Sequence, residues 1–304
     1  MISVVIPLYN KESQIVETLR SVLQQSFQDF EIVVVNDGST DDSVTAAESV
    51  QDERIRIIHQ ENAGVSAARN RGIAEARYEF IAFLDADDRW KPDYLQTQFE
   101  LVQKYPECSV FACNYEFVHA DGSVHPTIIR KLPFEEENGI LSNYFEVASC
   151  SHPPMWTSAV MVRKKALLPL GGFPTGIKSG EDLLTWARLA CAERIAYNRL
   201  PFALYSYDET TFTYNPREHD VTDIVGAGFV QLFNSYKQNG LERYIALWYT
   251  MKASTYFRLP RRSQTMKNAL LAIKYGGNIA KNLFFIFFSA FPLSFRRWLF
   301  LKLH

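Results

Sequence analysis

The chain has 304 residues, 47% of them hydrophobic and 22% charged, with a formal net charge of -2. That composition excludes a disordered or low-complexity chain and is enough for one large domain with an extension, or two modest domains. The charge is unevenly spread: residues 243–304 hold 11 Lys/Arg and no Asp/Glu, which leaves 21 basic and 34 acidic residues before them. An acidic body with a basic end points to an anionic partner for that end. Cys108, Cys113, Cys150 and Cys191 lack zinc-type or disulfide-scaffold spacing and read as free thiols. The start, Met-Ile-Ser-Val-Val, lacks the pattern of a signal peptide. The longest apolar run, Leu283 to Leu293, is too short for a membrane-spanning helix.

In chain order, Ile2 to Pro7 is a short β-branched run that reads as a buried strand. Ser13 is placed as the N-cap of a helix with apolar positions at Ile15, Val16, Leu19, Val22 and Leu23. Glu31 to Val35 is a second strand, broken by Asn36-Asp37-Gly38-Ser39-Thr40. Arg54 to His59 is a third, Ser66 to Ala76 an alanine-rich helix, and Phe80 to Leu84 a fourth strand. Pro92 opens another helix. Strands alternating with helices predict an α/β fold, a doubly wound, mostly parallel sheet with ligands at the carboxyl ends of its strands. Further on, Ser109 to Val118 and Thr157 to Val162 are strand-like and Glu135-Glu136-Glu137 is a solvated loop. Gly171-Gly172-Phe173-Pro174 is a turn, and Glu181-Asp182 opens a helix through Leu189. Beyond about Pro216 the pattern is helical and rich in aromatics.

The unusual chemistry falls at the expected carboxyl ends. Phe80-Ile81-Ala82-Phe83-Leu84 runs into Asp85-Ala86-Asp87-Asp88. Such a cluster either turns and caps the next helix, or holds a hard divalent cation completed by substrate phosphates. Asp37 lies in a turn where it can also accept hydrogen bonds from a base or ribose. In ENAGVSAARNRG, Glu61 to Gly72, Gly64 permits close backbone approach and Arg69 is a candidate for phosphates or nucleotide. In SGEDLLTWARL, Ser179 to Leu189, the two acids suit a helix start, and one carboxylate is a candidate general base.

The order PLYN, VVVNDGSTDDS, NAGVSAARNRG, FLDADD, GGF, GED resembles the family 2 glycosyltransferases, over about residues 1–197. The resemblance implies an inverting enzyme of GT-A fold, bacterial surface-polysaccharide type. Together with the change of pattern near Pro216, it gives an expected catalytic domain over residues 1–215, with a nucleotide-sugar half to about 105 and an acceptor half beyond, then a helical basic-aromatic extension over 216–304. Pro7 and Tyr9 would border the nucleobase, Asp37 would contact it, and Arg69 would lie by base or phosphates. Asp85 would face ribose or metal-bound phosphate, and Asp87 would ligate Mn²⁺ or Mg²⁺. Asp88 is set apart as a supporting acid. Asp182 would be the catalytic base, Glu181 would support the acceptor site, and Trp186 reads as core. The donor would be a nucleoside diphosphate sugar, UDP most commonly, and the acceptor a glycan or lipid-linked glycan. The rival readings are a sugar nucleotidyltransferase and a non-catalytic membrane scaffold. The nucleotidyltransferase lacks support from a glycine-rich basic loop after the first strand, and the retained acids argue against the scaffold.

Leu283 to Phe291, flanked by Lys281 and Arg296-Arg297, either packs on protein or lies in a bilayer interface. The second option predicts a protein of the cytoplasm held on the inner membrane surface. Ser294-Phe295-Arg296-Arg297-Trp298 has the Arg-Trp of processive members but Ser where Gln is expected, so processive synthesis is not expected. Nucleic acid is not an expected partner, because the basic residues accompany a very apolar run without a recognised module.

Overall fold

The computed structural model describes residues 1–207 and 222–303, so the expected domain boundary near residue 215 lies outside the described residues. Two compact units are present. The first comprises Met1–Ser142, Ser151–Ile177 and Glu181–Tyr207. The second takes Asn143–Cys150, Lys178–Gly180 and the helices from Ile224 onward.

The first unit is built on a ten-stranded mixed sheet. Its amino-terminal part holds β1 (Ile2–Leu8), β2 (Phe30–Asp37), β3 (Ile55–Gln60) and β4 (Phe80–Phe83), paired in parallel in the order β3-β2-β1-β4. Every residue of β1 and β2 is buried, which is why both are dominated by apolar residues on both faces rather than alternating; among the buried polar exceptions, Ser3 Oγ donates to Glu31 Oε1 at 2.8 Å. The intervening helices are α1 (Ile15–Leu23), α2 (Ser43–Glu48) and α3 (Val65–Glu75). Ile15, Leu19 and Val22 place one stripe of α1 in the core. The α3 helix lies so close to β1 that a Cβ on Gly72 would come 2.3 Å from Val5 Cγ1.

Beyond β4 come β5 (Arg89–Trp90), α4 (Tyr94–Lys104), β6 (Val110–His119), β7 (Val124–Pro126) and β8 (Asn138–Ile140). Then follow β9 (Val160–Arg163), α6 (Lys164–Leu167), α7 (Glu181–Ala192) and β10 (Ile195–Tyr207), with α5 (Tyr144–Ala148) in the second unit. The β9 strand runs antiparallel between β4 and β6, and β10 pairs in parallel with β6. The carboxyl ends of β1, β2, β4, β6 and β10 therefore share one edge of the sheet.

Local departures from the sequence reading have physical causes. Ser13 does not cap α1; the amides of Gln14 and Ile15 already donate to the Lys11 carbonyl, so the first turn is satisfied by backbone. The expected strand from Thr157 is a 3₁₀ turn over Thr157–Ala159, with the strand starting at Val160. Pro92 lies two residues before α4 instead of inside its first turn. Trp186 is core, fully buried against Phe83 and Phe173. The four cysteines are free thiols, three of them buried.

In the second unit α8 (Ile224–Tyr236), α9 (Leu241–Phe257), α10 (Arg262–Lys274), α11 (Ile279–Phe288) and α12 (Leu293–Leu303) follow one another. Ala253, Phe257, Ala269 and Phe285 form its small core. Asn282, fully buried on α11, donates to Thr250 Oγ1 of α9 at 3.2 Å. No helix among the described residues is long and apolar enough to cross a membrane.

Candidate active site

The loops after β1 and β2 are joined by hydrogen bonds. Asn10, in the left-handed region with φ 51°, accepts at Oδ1 from the Thr40 amide at 2.8 Å, and its own amide donates to Ser39 Oγ at 3.2 Å. The Lys11 amide donates to Ser43 Oγ at 2.7 Å. Pro7 is buried at the end of β1 and Tyr9 beside it is 46% exposed, so an aromatic face stands at the sheet edge.

Asp37 ends β2 and is buried. Its carboxylate accepts from Gln60 Nε2 at 2.7 Å and from the amides of Ala63 and Gly64, both at 2.9 Å. It thereby fixes the turn that opens α3, where Gly64 takes φ +88°. In this structure the carboxylate is a loop anchor.

The four residues after Leu84 separate by role. Asp85 Oδ1 accepts from Arg69 Nη2 at 2.7 Å. Asp87 Oδ2 pairs with Lys11 Nζ at 2.6 Å, and both side chains are about one-third exposed. Asp88 is buried; its carboxylate accepts from Ser158 Oγ at 2.5 Å and the Ser206 amide at 2.9 Å. Burial, reinforced by Asp87 and Asp85, pushes the Asp88 carboxyl well above the usual carboxylate range. Asp88 is thus the supporting acid, tying the β4 end to β10 and to the turn before β9.

Arg69, on α3, is 3% exposed. Its guanidinium spans Asp85 and Glu181, donating from Nη1 to Glu181 Oε1 at 3.3 Å, and lies over the Phe173 ring at 5.1 Å. Its Nε–H has no acceptor among the described residues. Burial alone would lower its pKa; Asp85 and Glu181 outweigh that and hold it raised. Arg69 thus joins the β4 end to the start of α7.

Phe173 is held beneath Arg69 by Asn70, whose Oδ1 accepts from the Phe173 amide at 2.7 Å while Nδ2 donates to its carbonyl at 2.8 Å. Gly172 is required there: its φ is +71°, and a Cβ would come 2.3 Å from Asn70 Oδ1.

Glu181 and Asp182 open α7, where the helix dipole favours negative charge. Asp182 Oδ1 accepts from the Leu183 amide at 2.7 Å, and Oδ2 accepts nothing among the described residues. Burial pushes its carboxyl up to about 7; Glu181 and Asp85 add to the rise, and Arg69 with the Leu183 amide opposes it. A carboxylate poised there titrates where a general base is most effective.

Of these acids, Asp87 is the one placed to meet a divalent cation that would arrive with a ligand. No group of three His, Cys, Asp or Glu among the described residues forms a cage. Asp85 and Asp88 are committed to Arg69, Ser158 and Ser206, which leaves Asp87 as a carboxylate about one-third exposed and already facing a cation, Lys11. Mg²⁺-type ions are commonly held by one or two carboxylates with substrate phosphates.

Lys11, Asn70 and Ser158 were absent from the sequence reading. Lys11 and Asn70 had a signal, since Lys11 directly follows the motif PLYN and Asn70 lies inside NAGVSAARNRG. Ser158, distant from any motif, had none.

Fold and edge chemistry define an α/β domain with an acidic, ligand-binding carboxyl edge, of the GT-A class. The profile of "Glycosyl transferase family 2" matches residues 3–167. The chain belongs to that family. Among curated relatives, it is 42% identical over 212 residues to the putative glycosyltransferase EpsH of Bacillus subtilis, covering 68% of this chain and 60% of the relative. It is 39% identical over 128 residues to glycosyltransferase GlyG of Streptococcus pneumoniae, covering 41% and 42%. It is 32% identical over 207 residues to an uncharacterized glycosyltransferase of Rickettsia conorii, covering 64% and 31%. The matches thus span less than two thirds of these relatives' own lengths. Among solved structures, S. aureus TarS 1–349 with UDP-GlcNAc superposes with a TM-score of 0.70 at 21% identity, over 90% of this chain and 81% of that one. The mannosyltransferase PcManGT of Pyrobaculum calidifontis, with GDP-Man and Mn²⁺, gives 0.57 at 19%, over 95% and 79%.

Proposed function

We propose that this protein is an inverting glycosyltransferase that moves one sugar from a nucleoside diphosphate sugar, a UDP-sugar first of all, to a hydroxyl of a glycan or lipid-linked glycan. The observation that carries the reading is Asp182: a carboxyl pushed up to about 7, linked through Glu181 and Arg69 to Asp85 at the β4 end. Family membership and the nucleotide-sugar complexes of the structural neighbours support the donor class.

In this reading Tyr9 and the zipped loops after β1 and β2 border the nucleobase, with Asp37 shaping the pocket wall. Asp85, oriented by Arg69, faces the ribose or diphosphate, and Asp87, paired here with Lys11, would hold Mn²⁺ or Mg²⁺. The bound ion would neutralise charge developing on the departing diphosphate. Asp182 Oδ2 accepts the proton of the acceptor hydroxyl as that oxygen bonds to the anomeric carbon. The bond from that carbon to the diphosphate oxygen breaks, and its electron pair leaves with the nucleoside diphosphate. One displacement on the opposite face inverts the anomeric configuration. Glu181 holds Arg69 and so keeps the base and the donor acid in register.

The test is a thermal-shift and transfer assay with UDP-, GDP- and dTDP-sugars in Mn²⁺. A donor should raise the melting temperature of the protein and of Asp182→Asn alike, while only the former turns over. Chelator or Asp87→Ala should remove the donor-dependent rise. No shift with any donor, or turnover by Asp182→Asn at the unaltered rate, overturns the reading.

A further inference from the structure

The last two helices carry an apolar face that their own core does not use. On α11, Asn282, Phe285 and Ser289 point inward and are buried. Ile279, Leu283 and Phe287 recur four residues apart on the other side, all more than half exposed, and Phe287 reaches 65%. Phe291 extends that stripe past the helix end. Its ring lies 6.0 Å from Phe287 and 5.1 Å from Phe295, which in turn lies 5.7 Å from Trp298 on α12. Trp298 is 54% exposed and Leu301 follows it on the same face. The result is one strip of large apolar side chains crossing two helices.

Its surroundings are cationic. Lys281, Arg297 and Lys302 are exposed on the same two helices, with Lys302 next to Leu301, and no Asp or Glu occurs anywhere in residues 243–304. A buried protein interface would seldom need this arrangement. A two-fold contact with a second copy would set like charges against one another, with no acid in the segment to offset them. An anionic lipid surface meets both halves of the pattern: rings enter the headgroup boundary, and ammonium and guanidinium groups meet phosphates. Neither helix is long enough to span, so the geometry is that of a helix pair lying on the surface.

We propose that α11 and α12 form a docking face for an anionic lipid membrane, with Phe287, Phe291 and Trp298 entering the interface and Lys281, Arg297 and Lys302 reading its charge. This goes beyond the catalytic reading and needs neither donor nor transfer to be tested.

The experiment is vesicle co-sedimentation of the full chain, using phosphatidylcholine with and without phosphatidylglycerol, with light scattering in parallel. The full chain should pellet with the anionic vesicles, less so in high salt. The double substitution Phe287→Asp, Trp298→Asp should abolish pelleting. Lys281→Gln with Lys302→Gln should weaken it roughly thirtyfold, at about fivefold per charge. All altered positions are solvent-facing, so melting temperatures should stay unchanged and separate lost docking from lost folding. Absence of pelleting by the full chain, or pelleting that survives both sets of substitutions, overturns the proposal. So does a dimer, seen by light scattering without lipid, that the aromatic substitutions dissolve.

Discussion

Lys11 Nζ stands 2.6 Å from Asp87 Oδ2, bridging the ends of two adjacent central strands, β1 and β4. The ammonium stands where the proposed reading places a divalent cation. Both side chains are about one-third exposed, so solvent screening leaves the pair worth about 1 kcal/mol at most. A divalent ion entering with a diphosphate would have to displace it.

Lys11→Met should therefore tighten Mn²⁺ binding in the presence of UDP, by about fivefold if the whole pair energy is released. Titration calorimetry of Mn²⁺ into the UDP-saturated protein measures this directly. Weaker Mn²⁺ binding would mean instead that the ammonium holds the diphosphate itself.

Asp182 gives a pH signature. As the proposed base it must be ionised, so kcat/KM should climb with pH and level off above about 7. Asp182→Asn should lower kcat by about 10²–10⁴-fold. Stability runs the other way. The folded carboxyl titrates near 7 against a usual value of 3.8, so between those pH values the folded state holds more protons than the unfolded one. The contribution of Asp182 to stability is full below the lower value and is lost as pH rises to the upper one. The melting temperature of the unaltered protein relative to Asp182→Asn should fall across that window. A constant difference would remove the case for a raised carboxyl.

Arg69→Gln leaves Asp85 and Glu181 facing each other without their shared cation. Loss of one partner from a buried pair typically costs about 3 kcal/mol or more, measurable by urea denaturation. Loss of the packing role alone would produce that too. The distinguishing readout is the pH profile. Burial and Glu181 raise the Asp182 carboxyl and Arg69 opposes them, so its acid limb should move to higher pH in the variant. An unmoved limb would confine Arg69 to architecture.

The parallel half of the sheet was legible because its strands are buried on both faces and so stand out as apolar runs, Val4 to Leu8 and Ile32 to Val35 above all. The acids were legible as a set because they follow those runs directly. What each acid does was not. Asp85, Asp87 and Asp88 look equivalent in sequence, yet they are distinguished by Arg69, Lys11 and Ser158, residues 16, 76 and 70 positions away. The antiparallel strand β9 was misjudged at its start because Thr157-Ser158-Ala159 carries strand-like composition while Ser158 is needed in a turn to reach Asp88. Tertiary demand overrode local preference there. The paired role of Gly172 and Asn70 was equally hidden, since it depends on two motifs a hundred residues apart meeting in space.

The bonds between the loops after β1 and β2 have an entropic consequence. Asn10 with Ser39 and Thr40, Lys11 with Ser43, and Glu12 with Asp42 join two segments into one stiff rim before any ligand arrives. Ordering two free loops around a ligand would subtract from its affinity; here that ordering belongs to folding instead. On the proposed reading, a nucleotide reaching this rim would meet a finished mould, and the freedom left to be lost on binding would be chiefly its own.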